Sequence, residues 1–411
     1  MRKRRIKKIA FLLLKIVAVL LIIGTICFFA FRNMLLEKAI AKVAGKMERE
    51  YNSRFTVGEA AFKGFSGIEM KEIALVPKNA DTLLHVQEIK TSVNYLKLLT
   101  GDVQLGTLKM QNGYIQLVRN KKGKNFDAFL KRKKDKQEDD GPKETNYAER
   151  AYNILNTALN LVPTDMRLDN LTLRLDDMGR KVSLNLQQMR LADEQLESTI
   201  GVKADSISQT WKVKGMADPR GKQADLKFFN SDSSRIRVPY IYERFGLKSG
   251  FDSIHLNVEN IDMDGGELHV DGFASIGNFM VNNPRIARKD VVIDKARFDY
   301  HFLFGPDFMA VDSTSTVQLN HIKFNPYARY SVAEDTIYEL KAKLPKTTAQ
   351  DFINSLPTGL FTNFEGMEAE GTFSYDLEFK YNKNKPGALI FDSNLKKDGL
   401  KITKYGAADL A

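Results

Sequence analysis

Five histidines, one cysteine and one Asp-x-Asp-Gly-Gly stretch are the residues whose types first suggest chemistry. His85, His255, His269, His301 and His321 stand far apart, and none sits at ligand spacing from a cysteine or another histidine. A zinc site is therefore not expected. Each reads as a solvated or hydrogen-bonded strand histidine, and His301 falls on the polar side of the run Phe298, Tyr300, Phe302. Asp262 and Asp264 lead into Gly265-Gly266 and mimic the start of a calcium loop. An EF-hand ladder needs an acid or amide where Gly266 stands, so a hairpin turn is the expectation. No Walker loop, Rossmann glycine fingerprint or Gly-x-Ser-x-Gly elbow occurs. Carboxylates are plentiful, but spacing singles out no acid–base pair. The residues predict a non-catalytic chain with no metal and no cofactor.

What the sequence offers instead is hydrocarbon at period 2. Phe373, Tyr375, Leu377, Phe379 and Tyr381 alternate with Ser374, Asp376, Glu378 and Lys380, a strand with one apolar and one wet face. Similar runs are Leu171-Leu173-Leu175, Val182-Leu184-Leu186, Ile200-Val202-Ala204, Trp211-Val213, Leu226-Phe228, Ile254-Leu256-Val258, Val291-Ile293, Phe298-Tyr300-Phe302 and Val317-Leu319. Turn signals at Asp177-Met178-Gly179, Asp218-Pro219-Arg220-Gly221 and Asp264-Gly265-Gly266 separate some of them. The pattern predicts a mainly β fold with a few helices, built of long antiparallel, twisted sheets. An apolar strand face must meet something. Either a second layer closes it into a core, or the sheet curls and the face meets acyl chains. In the second case Phe228, Phe298, Phe302, Phe373, Tyr375 and Phe379 are the candidate lipid-facing residues.

The elements that would position such a face begin with an anchor. Residues 9–31 form a 23-residue apolar run broken only by Lys15. As a helix it reaches about 35 Å, enough for a hydrocarbon layer of about 30 Å. Arg2, Lys3, Arg4, Arg5, Lys7 and Lys8 precede it and predict a cytoplasmic N-terminus. The expected topology is a single inner-membrane span with the bulk of the chain periplasmic. A cleaved signal peptide fits less well, because the run is long and ends Ile26-Cys27-Phe28-Phe29-Ala30-Phe31 without a small-x-small site. Cys27 is the lone cysteine, so the exported part has no disulfide. Eight cations and no acid lie in residues 1–32; removing them from the net +11 leaves +3 on the other 379 residues. The basicity is mostly an orientation signal, and no nucleic-acid partner is expected.

Residues 32–51 read as an amphipathic helix, with Leu36, Ile40, Val43 and Met47 on one face and Lys38, Lys42 and Lys46 on another. It either extends the anchor onto the following body or rests on anionic headgroups. Residues 52–119 are a β region, and 120–146 a charged loop with Lys131-Arg132-Lys133-Lys134 and Glu138-Asp139-Asp140. A helix is predicted over 147–162, stopped by Pro163. The β-rich remainder, 163–411, holds a second short helix near Thr348–Leu356 and breaks off abruptly, as a truncated product would.

The order of motifs resembles a known family. Arg54-Phe55-Thr56-Val57-Gly58-Glu59 is followed by Gly67-Ile68-Glu69-Met70-Lys71-Glu72-Ile73 and Val86-Gln87-Glu88-Ile89-Lys90. Then come Leu98-Leu99-Thr100-Gly101-Asp102-Val103, Gly113-Tyr114-Ile115-Gln116-Leu117 and Gly123-Lys124-Asn125-Phe126. After the apolar anchor this succession resembles the N-terminal part of AsmA-like proteins, over about residues 1–130. The resemblance implies an inner-membrane anchor, a periplasmic β body with an apolar concave face, and a role in lipid handling or outer-membrane assembly. Leu344-Pro345, Phe352-Ile353-Asn354-Ser355-Leu356-Pro357-Thr358-Gly359 and Gly366-Met367-Glu368-Ala369-Glu370-Gly371 are similar to the region ahead of a peptidoglycan glycosyltransferase domain in some Bacteroidota proteins. The catalytic motifs of that domain do not occur in this sequence.

Three functions follow as expectations. The first is a non-catalytic, membrane-anchored envelope protein that contacts or conducts membrane lipids. The second is an accessory region of a membrane-bound peptidoglycan glycosyltransferase. The third is a structural envelope scaffold. The partners implied are lipids and proteins of peptidoglycan synthesis or outer-membrane assembly.

Overall fold

The computed structural model describes residues 31–34, 36–93, 105–121, 123–130, 146–204, 207–238, 246–405 and 408–409. The expected anchor and its six leading cations lie outside them, Phe31 excepted, as does 131–145 of the charged loop. Among the described residues no helix is long and apolar enough to cross a membrane.

Helix α1 is described over residues 31–34 and 36–51. It leads into β1 (Ser53–Lys63), β2 (Gly67–Pro77), β3 (Leu84–Val93), β4 (Leu105–Asn120), the short β5 (Gly123–Lys124) and α2 (Asp127–Leu130). The part of the expected loop that precedes 131 is thus a hairpin and a helical turn. Helix α3 (Tyr147–Leu161) starts at Asn146, whose Oδ1 accepts from the Glu149 N–H at 3.0 Å, and ends before Pro163, as the sequence predicts. Next come β6 (Asp165–Asp177), β7 (Arg180–Ala192), β8 (Gln195–Ala204), β9 (Ile207–Asp218), β10 (Gln223–Asn230), β11 (Ile236–Arg237), β12 (Lys248–Phe251), β13 (Ser253–Asp264), β14 (Glu267–Asn282) and β15 (Val291–Phe304). Strands β16 (Phe308–Val311) and β17 (Thr316–Leu319) lie end to end between β15 and β18 (Ile322–Ser331). The series closes with β19 (Ile337–Thr348), α4 (Ala349–Ser355), β20 (Glu368–Asn382), β21 (Ile390–Tyr405) and β22 (Ala408–Asp409). Thr348 caps α4, its Oγ1 accepting from the Asp351 N–H at 3.0 Å.

All these strands belong to one sheet. Almost every strand pairs antiparallel with its sequence neighbour; β4 and β6 pair in parallel, joined by the α3 crossover. No second sheet covers the apolar face among the described residues; α3 packs against β14 and β15, and α4 against β18, β19 and β20, so helices close parts of it. Val291-Ile293 and Phe298-Tyr300-Phe302, which read as separate runs, are one strand, β15. The outward pair Asp294-Lys295 breaks its alternation.

That break recurs and shapes the sheet. The pairing lapses at Gly58/Glu72, Glu72/Gln87, Gln87/Asn112, Asn112/Asn170 and Asn170/Gln187, one column across six strands. Glu72, Asn112 and Asn170 take left-handed φ values of 51°, 52° and 53°. Each strand has two consecutive outward residues there, as in Met166-x-Leu168-Asp169-Asn170-Leu171-x-Leu173. A doubled outward position bends a strand toward its other face, so the column is a crease with the apolar side inside. On the outer side the amides form a chain. Asn112 Nδ2 donates to Gln87 Oε1 at 2.8 Å, Asn170 Nδ2 to Asn112 Oδ1 at 2.9 Å, and Asn185 Nδ2 to Asn170 Oδ1 at 3.1 Å.

The two edges of the sheet differ. Along β1, the Phe62 N–H donates to Asn33 Oδ1 of α1 at 3.0 Å, so α1 shields that edge. Its apolar face is half-buried at Leu36, Ile40 and Met47. The edge strand β21 is exposed over most of its length.

Candidate functional site: an apolar trough

Register assigns every long strand two faces. Across β2, β3, β4, β6 and β7 one face carries Leu75, Leu84, Ile115, Leu173 and Leu184 in a row. Across β14, β15, β16, β18, β19 and β20 the same face carries Val270, Phe302, Val311, Ala328, Leu340 and Phe379. All six candidate residues, Phe228, Phe298, Phe302, Phe373, Tyr375 and Phe379, lie on it.

This face is concave in two places. One cleft of about 520 Å³ spans β15 to β20, with Phe302, Phe304, Met309, Tyr330, Leu340 and Phe379 in its wall. A second, of about 290 Å³, lies in the crease from β3 to β8, with Val86, Ile115, Leu171, Leu173, Leu186 and Ile200 in its wall. The face is only partly filled by packing. Met166, Leu191 and Leu196 form a closed cluster under Val162, Leu168 and Val213. Elsewhere the same face leaves Ile115 44% and Leu340 49% exposed. A larger cavity of about 900 Å³, bordered by Arg54, Lys78, Asn120 and Asp127, is polar and lies off this face.

The candidate residues divide by what covers them. Phe302 and Phe379 line the larger cleft. Phe298 packs edge-on against Phe302 at 5.9 Å, beside Tyr300. Phe228 is enclosed by Trp211 and Phe251, and Phe373 by Phe352 of α4 at 5.3 Å. Tyr375 places its hydroxyl 2.9 Å from Ser393 Oγ. The face thus offers two open liners among the six, with Tyr381 of the same alternating run, and others that spacing alone did not single out: Phe304, Met309, Tyr330, Tyr338 and Leu340. Register supplies them: Leu340 is the partner of Phe379, and Tyr338, Tyr330, Met309 and Phe304 continue the row of Tyr381.

The opposite face is a lattice of charge pairs. His85 Nε2 lies 3.0 Å from Glu72, His255 Nε2 2.7 Å from Asp225, and His301 Nδ1 2.9 Å from Asp271, so three of the five histidines are hydrogen-bonded strand residues. Its bond to His255 holds the Asp225 carboxyl below the ordinary carboxylate range. Lys380 does the same to Glu339, and Arg297 to Asp299. On the apolar face burial pushes the Tyr300 phenol up, and its hydroxyl donates to the Asn257 carbonyl at 2.8 Å. Asp264-Gly265-Gly266-Glu267 is the tight turn between β13 and β14, with φ of 57° and 86° at the glycines.

No curated protein and no solved structure matches the chain. The AsmA family model matches residues 1–235, more than half of the 411. The match takes in the apolar run, α1, the crease and β1 to β10, and the chain belongs to the AsmA family.

Proposed function

We propose that this chain is a membrane-anchored envelope protein whose apolar trough holds acyl chains and passes them along the sheet. The observation that supports this is one apolar face shared by the whole sheet, with clefts on it and no second sheet over it among the described residues. Burial of hydrocarbon is favourable by about 0.8 kcal/mol per methylene, and an apolar wall supplies it without selecting a headgroup. Strands stacked from β1 to β21 at about 4.8 Å apiece extend such a wall to about 75 Å, longer than a bilayer is thick. The reading is non-catalytic: the trough presents hydrocarbon, and charge pairs such as Lys380–Glu339 and Arg297–Asp299 lie on the outer face. The N-terminal run would fix one end at the inner membrane.

Purification of residues 33–411 without detergent, followed by lipid extraction and mass spectrometry, tests the proposal. Bound phospholipid or lipid precursor is expected. A lipid-free protein, with a control showing complete extraction, would overturn it. The exposed edge of β21 favours a second reading, a scaffold that pairs with a partner strand. Crosslinking from cysteines placed on β21 should then capture a defined protein; capture of none removes that reading.

A further inference from the structure

The turn between β1 and β2 is joined to Arg32 and Asn33 of α1 by three contacts. Arg32 Nη1 donates to the Gly64 carbonyl at 2.6 Å, and its guanidinium sits 5.2 Å from the Phe62 ring. The Phe62 N–H is bonded to Asn33 at 3.0 Å. Phe65 stands at the tip of this turn and is 66% exposed, and Phe31 of α1 is 53% exposed. The 23-residue apolar run ends at Phe31, one residue before the arginine that holds the tip.

We propose that this turn is a second membrane contact, with the Phe65 ring seated in the headgroup layer of the bilayer that the apolar run crosses. The proposal rests on reading residues 9–31 as the anchor. Asn33 is two residues past the end of that run, about 3 Å of helix rise. The tip it holds is therefore level with the polar layer, where aromatic rings are favoured. Lys63, 67% exposed and paired with Glu69 at 3.3 Å, flanks the tip and adds positive charge on the side that would face lipid phosphates. One helix crossing a bilayer leaves its attached body free to rotate about the helix axis. A second contact at the β1–β2 tip removes that freedom and orients the trough relative to the membrane.

The test uses the full chain in vesicles of phosphatidylethanolamine and phosphatidylglycerol. With Cys27→Ser as background, Phe65→Cys carries an environment-sensitive fluorophore. Met178→Cys, on the exposed β6–β7 turn at the opposite strand ends, serves as reference, and Ser66→Cys replaces the first site if its turn is disturbed. The expected result is a blue-shifted emission at 65, quenched several-fold more by lipids spin-labelled near the headgroup than at mid-chain, with 178 unaffected. Equal behaviour at 65 and 178 overturns the proposal. So does a blue shift at 65 without lipid quenching, which would mean burial against protein, a second copy included. Release of the chain from vesicles by alkaline carbonate would overturn the anchor itself; a retained chain with an unquenched 65 would overturn the second contact alone.

Discussion

Leu340→Glu separates an open trough from a closed core. Leu340 stands between Ala328 and Phe379 on the apolar face, in the wall of the larger cleft, and is about half exposed. A leucine buried completely is worth about 1.5–3 kcal/mol, so replacing one that is half buried should cost about 1 kcal/mol of stability. A carboxylate there also repels hydrocarbon. An extended acyl chain crossing one strand spacing of about 4.8 Å lays down about four methylenes. Losing their burial costs about 3 kcal/mol, about a 200-fold weakening of binding. Leu191→Ala is the contrasting variant: Leu191 is 1% exposed in the packed cluster, and its truncation should cost about 2–5 kcal/mol. Thermal unfolding and titration with a fluorescent fatty acid read the two effects. Leu340→Glu should keep nearly its full melting temperature and lose the lipid; Leu191→Ala should unfold early. A collapse of stability in Leu340→Glu, or unchanged lipid affinity, would refute the open trough.

The crease makes its own prediction. Asn170→Val places a β-branched residue at φ 53° and should cost about 1–3 kcal/mol more than Asn170→Gly, which loses the same two amide hydrogen bonds without the strain; chemical denaturation compares them. The outer charge lattice predicts a pH dependence. The carboxyls of Asp225, Asp299 and Glu339 are depressed in the folded state. Their stabilisation is therefore complete above the unfolded value near pH 4 and is lost as pH falls through the folded values. Glu339→Gln should flatten the acid limb of a melting-temperature profile between about pH 5 and pH 2. Phe391, 68% exposed on the edge strand β21, predicts self-association, and Phe391→Lys should lower the dimer fraction in sedimentation velocity.

Strand identity was legible because one-sided burial writes period 2 into the sequence, and the turns at Gly179 and Gly265-Gly266 carry glycine where φ is positive, although Met178 also takes φ 58°. The end of helix α3 was legible through Pro163; its Asn146 cap is a signal the sequence reading did not use. The crease was also written, as a polar doublet at Asp169-Asn170, Gln187-Gln188 and Gln111-Asn112, but each doublet alone looks like an ordinary lapse in alternation. Its meaning needs the register that aligns one strand's doublet with the next. The lining residues were hidden for the same reason. Phe373 and Phe379 are equivalent along β20, yet only packing by Phe352 of α4 separates the covered ring from the open one. The single sheet was undecidable from pattern, since an apolar face reads the same under a second layer or under lipid.

Site-specific photo-crosslinking tests the central claim most directly. A photoreactive side chain at Leu340 or Ile115, on the apolar face, should form adducts with phospholipid in living cells, while the same group at the outward neighbours Lys341 and Gln116 should not. Adducts at all four positions, or at none, would contradict a lipid-holding trough.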